Sequence, residues 1–164
     1  MSAERAAAGA EELGVPHTVT RHGRVSSLAE AAAARGVTPD RLLKTLVVRR
    51  GEGDYVLVLV PGDRTIAWPR LRALLGVSRL SMPPAEEALA ATGYARGTIT
   101  PFGAAPGPDG RPWPLVADER VAGTVSVGGG EHGVGLTVDA AAMLRAYDAR
   151  VGDVTDPQDG PPAG

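Results

Sequence analysis

The sequence predicts an α/β domain of α+β character, with helices surrounding a mixed central sheet. Three observations point there. Two Val- and Leu-rich runs, KTLVVRR and DYVLVLVPG, flank Gly51-Glu52-Gly53 as the strands of a hairpin would. Alanine-rich segments with recognisable caps recur before and after that hairpin. The length, 164 residues, suits one domain with a real core.

Residues 3–13 read as an amphipathic helix closed by Gly14, and PHTVTRH as a short strand. Ser27 and Glu30 form a capping box that starts a helix ended by Gly36. Thr38-Pro39 fits an N-cap and first helical position, predicting a short helix to about Leu43. The hairpin follows. Its second strand is continuously apolar from Tyr55 to Val60, which predicts a central strand covered on both faces. Trp68-Pro69 opens a helix ended by Gly76, and SRLSM reads as a short strand. Pro83-Pro84-Ala85-Glu86-Glu87 opens another helix, with acids at its positive end, and Gly93 stops it. After a proline-rich loop come strands at 114–118, 123–128 and 134–138, then a helix 140–147 capped by Asp139. TDPQDGPPAG has the composition of a disordered end.

Composition removes several function classes. There is no cysteine, which excludes disulfides, thiolate metal sites and a cysteine nucleophile. Three scattered histidines and no zincin spacing give no metal site, so none is expected. The acidic N-terminal segment is not a signal peptide, and no apolar run approaches membrane length; a cytoplasmic protein is expected. A net charge of −2 argues against non-specific coating of nucleic acid, while allowing a local basic face.

Among the basic residues one is exceptional. Lys44 is the only lysine; the other 16 are arginine. GC-rich coding explains the arginines, but surface charge alone would have tolerated arginine at position 44 too. Lys44 is either a strand-end lysine in water or a compact ammonium that concentrates charge on one oxygen in a small pocket. Gly97-Thr98-Ile99-Thr100-Pro101 is either an ordinary loop or one that aims backbone N–H groups at an oxyanion or a water. Gly128-Gly129-Gly130 is either a hairpin turn or an anion-binding nest. His22, Ser26 and Ser27 lack an acidic partner, and Ser27 is better explained as a cap, so a catalytic triad is not expected.

LLKTLVV, ATGYARGTITPFG and VSVGGGEHGVGLTVDAAAML, in that order and at those separations, resemble the YbaK family. These are the stand-alone relatives of the editing domain inserted in bacterial prolyl-tRNA synthetases. The resemblance covers roughly residues 10–155. It implies a mixed, strongly curved sheet and hydrolysis of the ester bond of mischarged aminoacyl-tRNA, with Ala or Cys on tRNA(Pro) as typical substrates and no cofactor. It implies catalytic roles for Lys44 and Gly97, the latter opening a GxxxP loop. It implies substrate-binding roles for Thr45, Tyr94, Thr98, Ile99, Thr100 and Pro101, and for Gly128, Gly129 and Gly130. The implied partner is the acceptor end of aminoacyl-tRNA, with a tRNA synthetase or elongation factor in trans, and neither DNA nor membrane. Residues 1–155 are then one editing domain and 156–164 a flexible tail.

Two departures bear on the substrate. Some members carry an aspartate where this chain has Gly135, and aromatics where it has Arg21 to Ser27. The rival reading is a non-catalytic module of the same fold that binds aminoacyl-tRNA or another nucleotide-bearing ligand.

Overall fold

In the computed structural model, which describes residues 2–158, the hairpin is the centre of the molecule. Strand β2 (Leu43–Gly51) pairs antiparallel with β3 (Asp54–Pro61), and β3 pairs parallel with β5 (Leu115–Asp118). Strand β8 (Arg150–Gly152) adds in parallel on the far side of β5, so the order is β2-β3-β5-β8. A second sheet, β1-β7-β6, is antiparallel, with β1 at His17–Arg21, β6 at Thr124–Gly128 and β7 at Val134–Asp139. A single parallel bridge, Leu42 to Ser126, ties the two sheets together at the head of β2. A two-stranded ribbon joins β4 (Arg64–Ile66) to β9 (Thr155–Pro157).

The apolar run of β3 is buried on both faces, as its sequence predicts. Tyr55, Leu57 and Leu59 enter one core with Val125 and Val127 of β6 and Leu136 and Val138 of β7. Val56, Val58 and Val60 enter another with Ile66, Leu71 and Val154. The period-two alternation of a strand divides one sequence between two cores. Helix α1 (Ser2–Glu12) and α5 (Ala140–Ala146) cover the first core, and α3 (Trp68–Leu75) the second. Helix α4 (Ala85–Thr92) ends at Gly93 as expected. Helix α2 (Leu28–Ala34) starts at the expected cap, where Ser27 Oγ accepts the Glu30 N–H at 3.0 Å. The Glu30 carboxylate closes on Ser26 rather than Ser27, accepting from its N–H at 2.6 Å and its hydroxyl at 2.8 Å.

Three local expectations are corrected. The helix predicted from Thr38-Pro39 to Leu43 is one 3-10 turn, Pro39–Arg41. The Thr38 hydroxyl bonds Asp40 instead of a backbone N–H, and Leu42 is drawn into its bridge with Ser126. SRLSM is no strand; it contributes the single bridge Arg49–Ser81. The tail expected from Thr155 instead pairs with β4 through Pro157, while residues from 159 on lie outside the described residues. The strands β4, β8 and β9 were not anticipated, because three residues carry no readable alternation.

Helix α1 presents small residues (Ala3, Ala6, Gly9 and Ala10) to the interior. A Cβ on Gly9 would fall against Gly103 N and 2.8 Å from Gly103 Cα. The helix therefore sits directly on the segment that follows the GxxxP loop. Gly9→Ala should destabilise the protein by about 1–3 kcal/mol through overpacking, although alanine is the better helix former by about 1 kcal/mol. Denaturant melting checks this, and a stabilised variant would show that α1 does not seat against Gly103.

Candidate active site

A cavity of about 570 Å³ lies along the outer edge of β2. Its position follows from backbone pairing. Arg49 exchanges two hydrogen bonds with Ser81, at 2.8 and 3.1 Å, so its polar backbone groups face away from β3. By the two-residue period, those of Val47, Thr45 and Leu43 do the same. The edge is engaged at Leu42 by Ser126 and at Arg49 by Ser81. Between these two bridges no strand covers it, and there the cavity opens, lined by residues 42–47.

Lys44 and Thr45 point to opposite faces of β2, and the cavity wraps the edge so that it touches both. Thr45 is buried on the side of the first core, and its Oγ1 has no hydrogen-bond partner. Lys44 is half-buried on the other side, where its ammonium donates to the Arg64 carbonyl at 2.6 Å. Burial lowers its pKa below the ordinary 10.5, with the charge of Asp63 opposing the shift.

The opposite wall is the GxxxP loop. Gly97 and Ile99 line the cavity. The Thr98 N–H is engaged by the Ala95 carbonyl at 2.9 Å, whereas those of Gly97 and Ile99 have no partner among the described residues. Gly97 has φ +89°, a conformation natural to glycine. Gly128 completes the wall from below. A Cβ there would lie 2.6 Å from the Ile99 carbonyl oxygen, so the two loops meet where a side chain is missing.

Lys44, Thr45, Gly97, Ile99 and Gly128 thus converge on one cavity. Tyr94, Thr98, Thr100, Pro101, Gly129 and Gly130 lie outside its wall and hold it. Gly130 N–H donates to the Thr98 carbonyl at 3.0 Å, and Gly129 N–H to Val134 at 2.9 Å. Thr100 is fully buried, its hydroxyl facing the Phe102 N–H at 3.4 Å. Pro101 lies on the far side of the loop, in a depression shared with Gly9 and Trp113. Tyr94 is buried, with its ring 4.4 Å from the Arg5 guanidinium, and its hydroxyl donates to the Phe102 carbonyl at 2.7 Å.

Three residues were not anticipated. Arg35 and Arg96 join Lys44 in the wall, and no carboxylate among the described residues lines it. Arg35 Nε donates to His22 Nε2 at 3.2 Å. Its stem occupies the space over Gly135, where a Cβ would lie 2.7 Å from Arg35 Cδ. A side chain at position 135 would thus meet the Arg35 stem, and one of the two would have to shift. In sequence Arg35 reads only as a basic residue at a helix C-terminus. His132 sits beside Gly97, its Cε1 3.6 Å from where a Cβ would be. Its neighbour Glu131 accepts from the Ala3 N–H at 2.8 Å, a helix-end role. Among the described residues no group of three or more His, Cys, Asp or Glu is placed to hold a metal.

This fold and this cleft between a lysine-bearing edge strand and a GxxxP loop define an editing-type domain. A model of the aminoacyl-tRNA editing domain matches residues 22–146, and the chain belongs to that family. It is 35% identical over 102 residues to a proline–tRNA ligase of Pelobacter propionicus, covering 60% of this chain and 17% of the ligase. To that of Desulfotalea psychrophila it is 34% identical over 120 residues, covering 66% and 20%. The chain spans about a fifth or less of these relatives' lengths. A solved structure of a candidate trans-editing enzyme for prolyl tRNA synthetase superposes with TM-score 0.82 at 26% identity, covering 94% of this chain and 97% of that one. The hypothetical protein APE2540 superposes with TM-score 0.80, also at 26% identity, covering 93% and 99%.

The lowered pKa of Lys44 has a measurable consequence. The folded protein releases this proton at lower pH than the unfolded chain does. Between the folded pKa and 10.5 the unfolded chain holds more protons, so stability rises with pH across that window. Below it both states are protonated, and the desolvation penalty is fully present. Lys44→Met should remove this rise. Urea melts from neutral pH to 10.5 should show wild type gaining stability relative to the variant; a constant difference would mean that the ammonium is fully hydrated.

Proposed function

We propose that this chain is an aminoacyl-tRNA deacylase that acts in trans on tRNA(Pro) carrying a small amino acid such as Ala or Cys. The observation that carries the reading is convergence. Lys44, whose ammonium keeps two uncommitted N–H donors, and Gly97 and Ile99, whose backbone N–H groups have no partner among the described residues, line one cavity that no carboxylate among the described residues enters. Such a site suits an activated ester, which needs positioning and charge stabilisation rather than a protein nucleophile.

A water attacks the ester carbonyl carbon. Negative charge develops on the carbonyl oxygen and is stabilised by the Gly97 and Ile99 N–H groups. Collapse breaks the bond to the ribose oxygen, which takes up the proton that the attacking water gives up. The neighbouring ribose hydroxyl assists that transfer, as the family resemblance implies. Lys44 holds the terminal phosphate or the substrate carbonyl, and Thr45 lines the wall beside the bound end. Apolar side chains (Leu43, Val47 and Ile99 among them) limit the space for the amino acid. Steric exclusion spares proline, since a missing methylene alone is worth only about 1–3 kcal/mol.

Single-turnover deacylation of Ala-, Cys-, Ser- and Pro-charged tRNA(Pro) tests the reading. Lys44→Ala should reduce hydrolysis to near background with the fold retained, and Lys44→Arg should be poor, because a planar fork does not replace a compact ammonium. Binding without turnover in the wild type would leave the non-catalytic module instead.

Gly97→Ala separates chemistry from strain. Nothing among the described residues blocks a methyl group there, since His132 stands 3.6 Å away. The methyl would instead face the cavity or disfavour φ +89°. Loss of one oxyanion donor should slow the rate about a hundred- to a thousandfold, or about 2.7–4 kcal/mol. A shift in melting with an unchanged rate per folded molecule would reduce Gly97 to a turn residue.

A further inference from the structure

On the far side of the Arg49–Ser81 bridge from the cavity, the same edge of β2 runs into a second, shallower depression. Its wall holds four arginines (Arg49, Arg50, Arg72 and Arg79) together with Ser78 and Ser81. No carboxylate among the described residues lines it, although the chain as a whole carries a net charge of −2. The concentration of charge is therefore local. Two of the four are held in place by acids at the margin: Arg49 lies 3.6 Å from Glu87, and Arg50 bonds Asp54 at 2.9 Å. The side chains of Arg72 and Arg79 have no hydrogen-bond or ion-pair partner among the described residues. Arg72 and Arg79 thus add two unpaired like charges beside two paired ones, and no acid among the described residues lines the depression to neutralise them.

We propose that this arginine depression binds the phosphodiester backbone of the tRNA acceptor arm whose 3′ end occupies the Lys44 cavity. The proposal rests on the deacylase reading for its orientation, and its own support is separate. From Lys44 to Arg49 is five residues of extended strand, about 17 Å, a reach of a few nucleotides from the ester. Both depressions open along one strand edge, so a single RNA strand can follow β2 from one to the other. Guanidinium forks match phosphate oxygens in pairs, and the two serines add hydroxyl donors. The division of labour follows: the cavity reads the ester, and the arginines hold backbone phosphates without reading sequence.

Arg72→Ala/Arg79→Ala tests this, since neither side chain has a hydrogen-bond or ion-pair partner among the described residues. Two measurements are made on wild type and the double variant. The first is binding of uncharged tRNA(Pro) across a salt series. The second is hydrolysis of full-length Ala-tRNA(Pro) against Ala esterified to a lone adenosine, which is too short to reach the arginines. The expected result is a salt slope lower by about 2, one for each phosphate that the variant no longer neutralises. With it come a KM for Ala-tRNA roughly tenfold higher, an unchanged kcat, and unchanged hydrolysis of the adenosine ester. An unchanged slope and KM would overturn the proposal. Equal losses on both substrates would also overturn it, by showing that the substitutions act through the cavity. If the wild type hydrolyses neither ester, the deacylase reading fails, and the salt series still decides whether RNA lies on the arginines.

Discussion

The site depends on one joint between two loops. Gly128 passes under the Ile99 carbonyl with no room for a Cβ, and Gly130 N–H donates to the Thr98 carbonyl. Together these hold the GxxxP loop against the end of β6, and the Gly97 and Ile99 N–H groups are left without a partner among the described residues. A hydrogen bond between backbones is short and directional, so it fixes the loop more tightly than side-chain packing would. Tyr94 supports the arrangement from within. Its ring touches the space over Gly130, its hydroxyl bonds Phe102, and Arg5 of α1 lies across its face. The N-terminal helix is thereby tied to the loop that lines the cavity.

The second constraint is the edge of β2. β3 is covered on both faces and pairs on both sides, which makes it the rigid reference for everything beside it. β2 is anchored to it over eight residue pairs, yet its outer edge is engaged only near its two ends. An unpaired strand edge is ordinarily a liability, because its N–H and C=O groups seek partners. Here the uncovered stretch coincides with the cavity, so the same unpaired groups of Thr45 and Val47 become part of its polar lining. The site is a gap in a sheet, held open by the strand that supports it.

Charge organises the rest. The cavity wall holds Lys44, Arg35 and Arg96 without an acid among the described residues, and burial depresses the pKa of both Lys44 and Arg35. Lys44 is tethered by the Arg64 carbonyl and Arg96 by the Pro83 carbonyl, both neutral acceptors, while Arg35 donates to His22. Neutral tethers orient a cation without cancelling its field, which leaves the charge available to an anionic ligand. The Gly135 departure belongs to this set, since a side chain at that position would meet the Arg35 stem.

What the sequence determined by itself was local and periodic. The hairpin, the two-faced burial of β3, the Ser27 and Asp139 caps and the helix stops at Gly76 and Gly93 were all legible, because each depends on residues close in the chain. The family and the residues of its motifs were legible from the order of three short segments. Tertiary structure alone decided which motif residues face the cavity and which brace it, since that depends on packing between segments far apart. Tyr94 and Thr98 share a motif with Gly97, yet the chain turns them inward. Arg35 enters the site from the end of a helix, over a glycine 100 positions away, and no linear pattern encodes that meeting. The strands β4 and β9 are three residues each and exist because they find each other across the fold. Their pairing is a property of the assembled chain rather than of either segment.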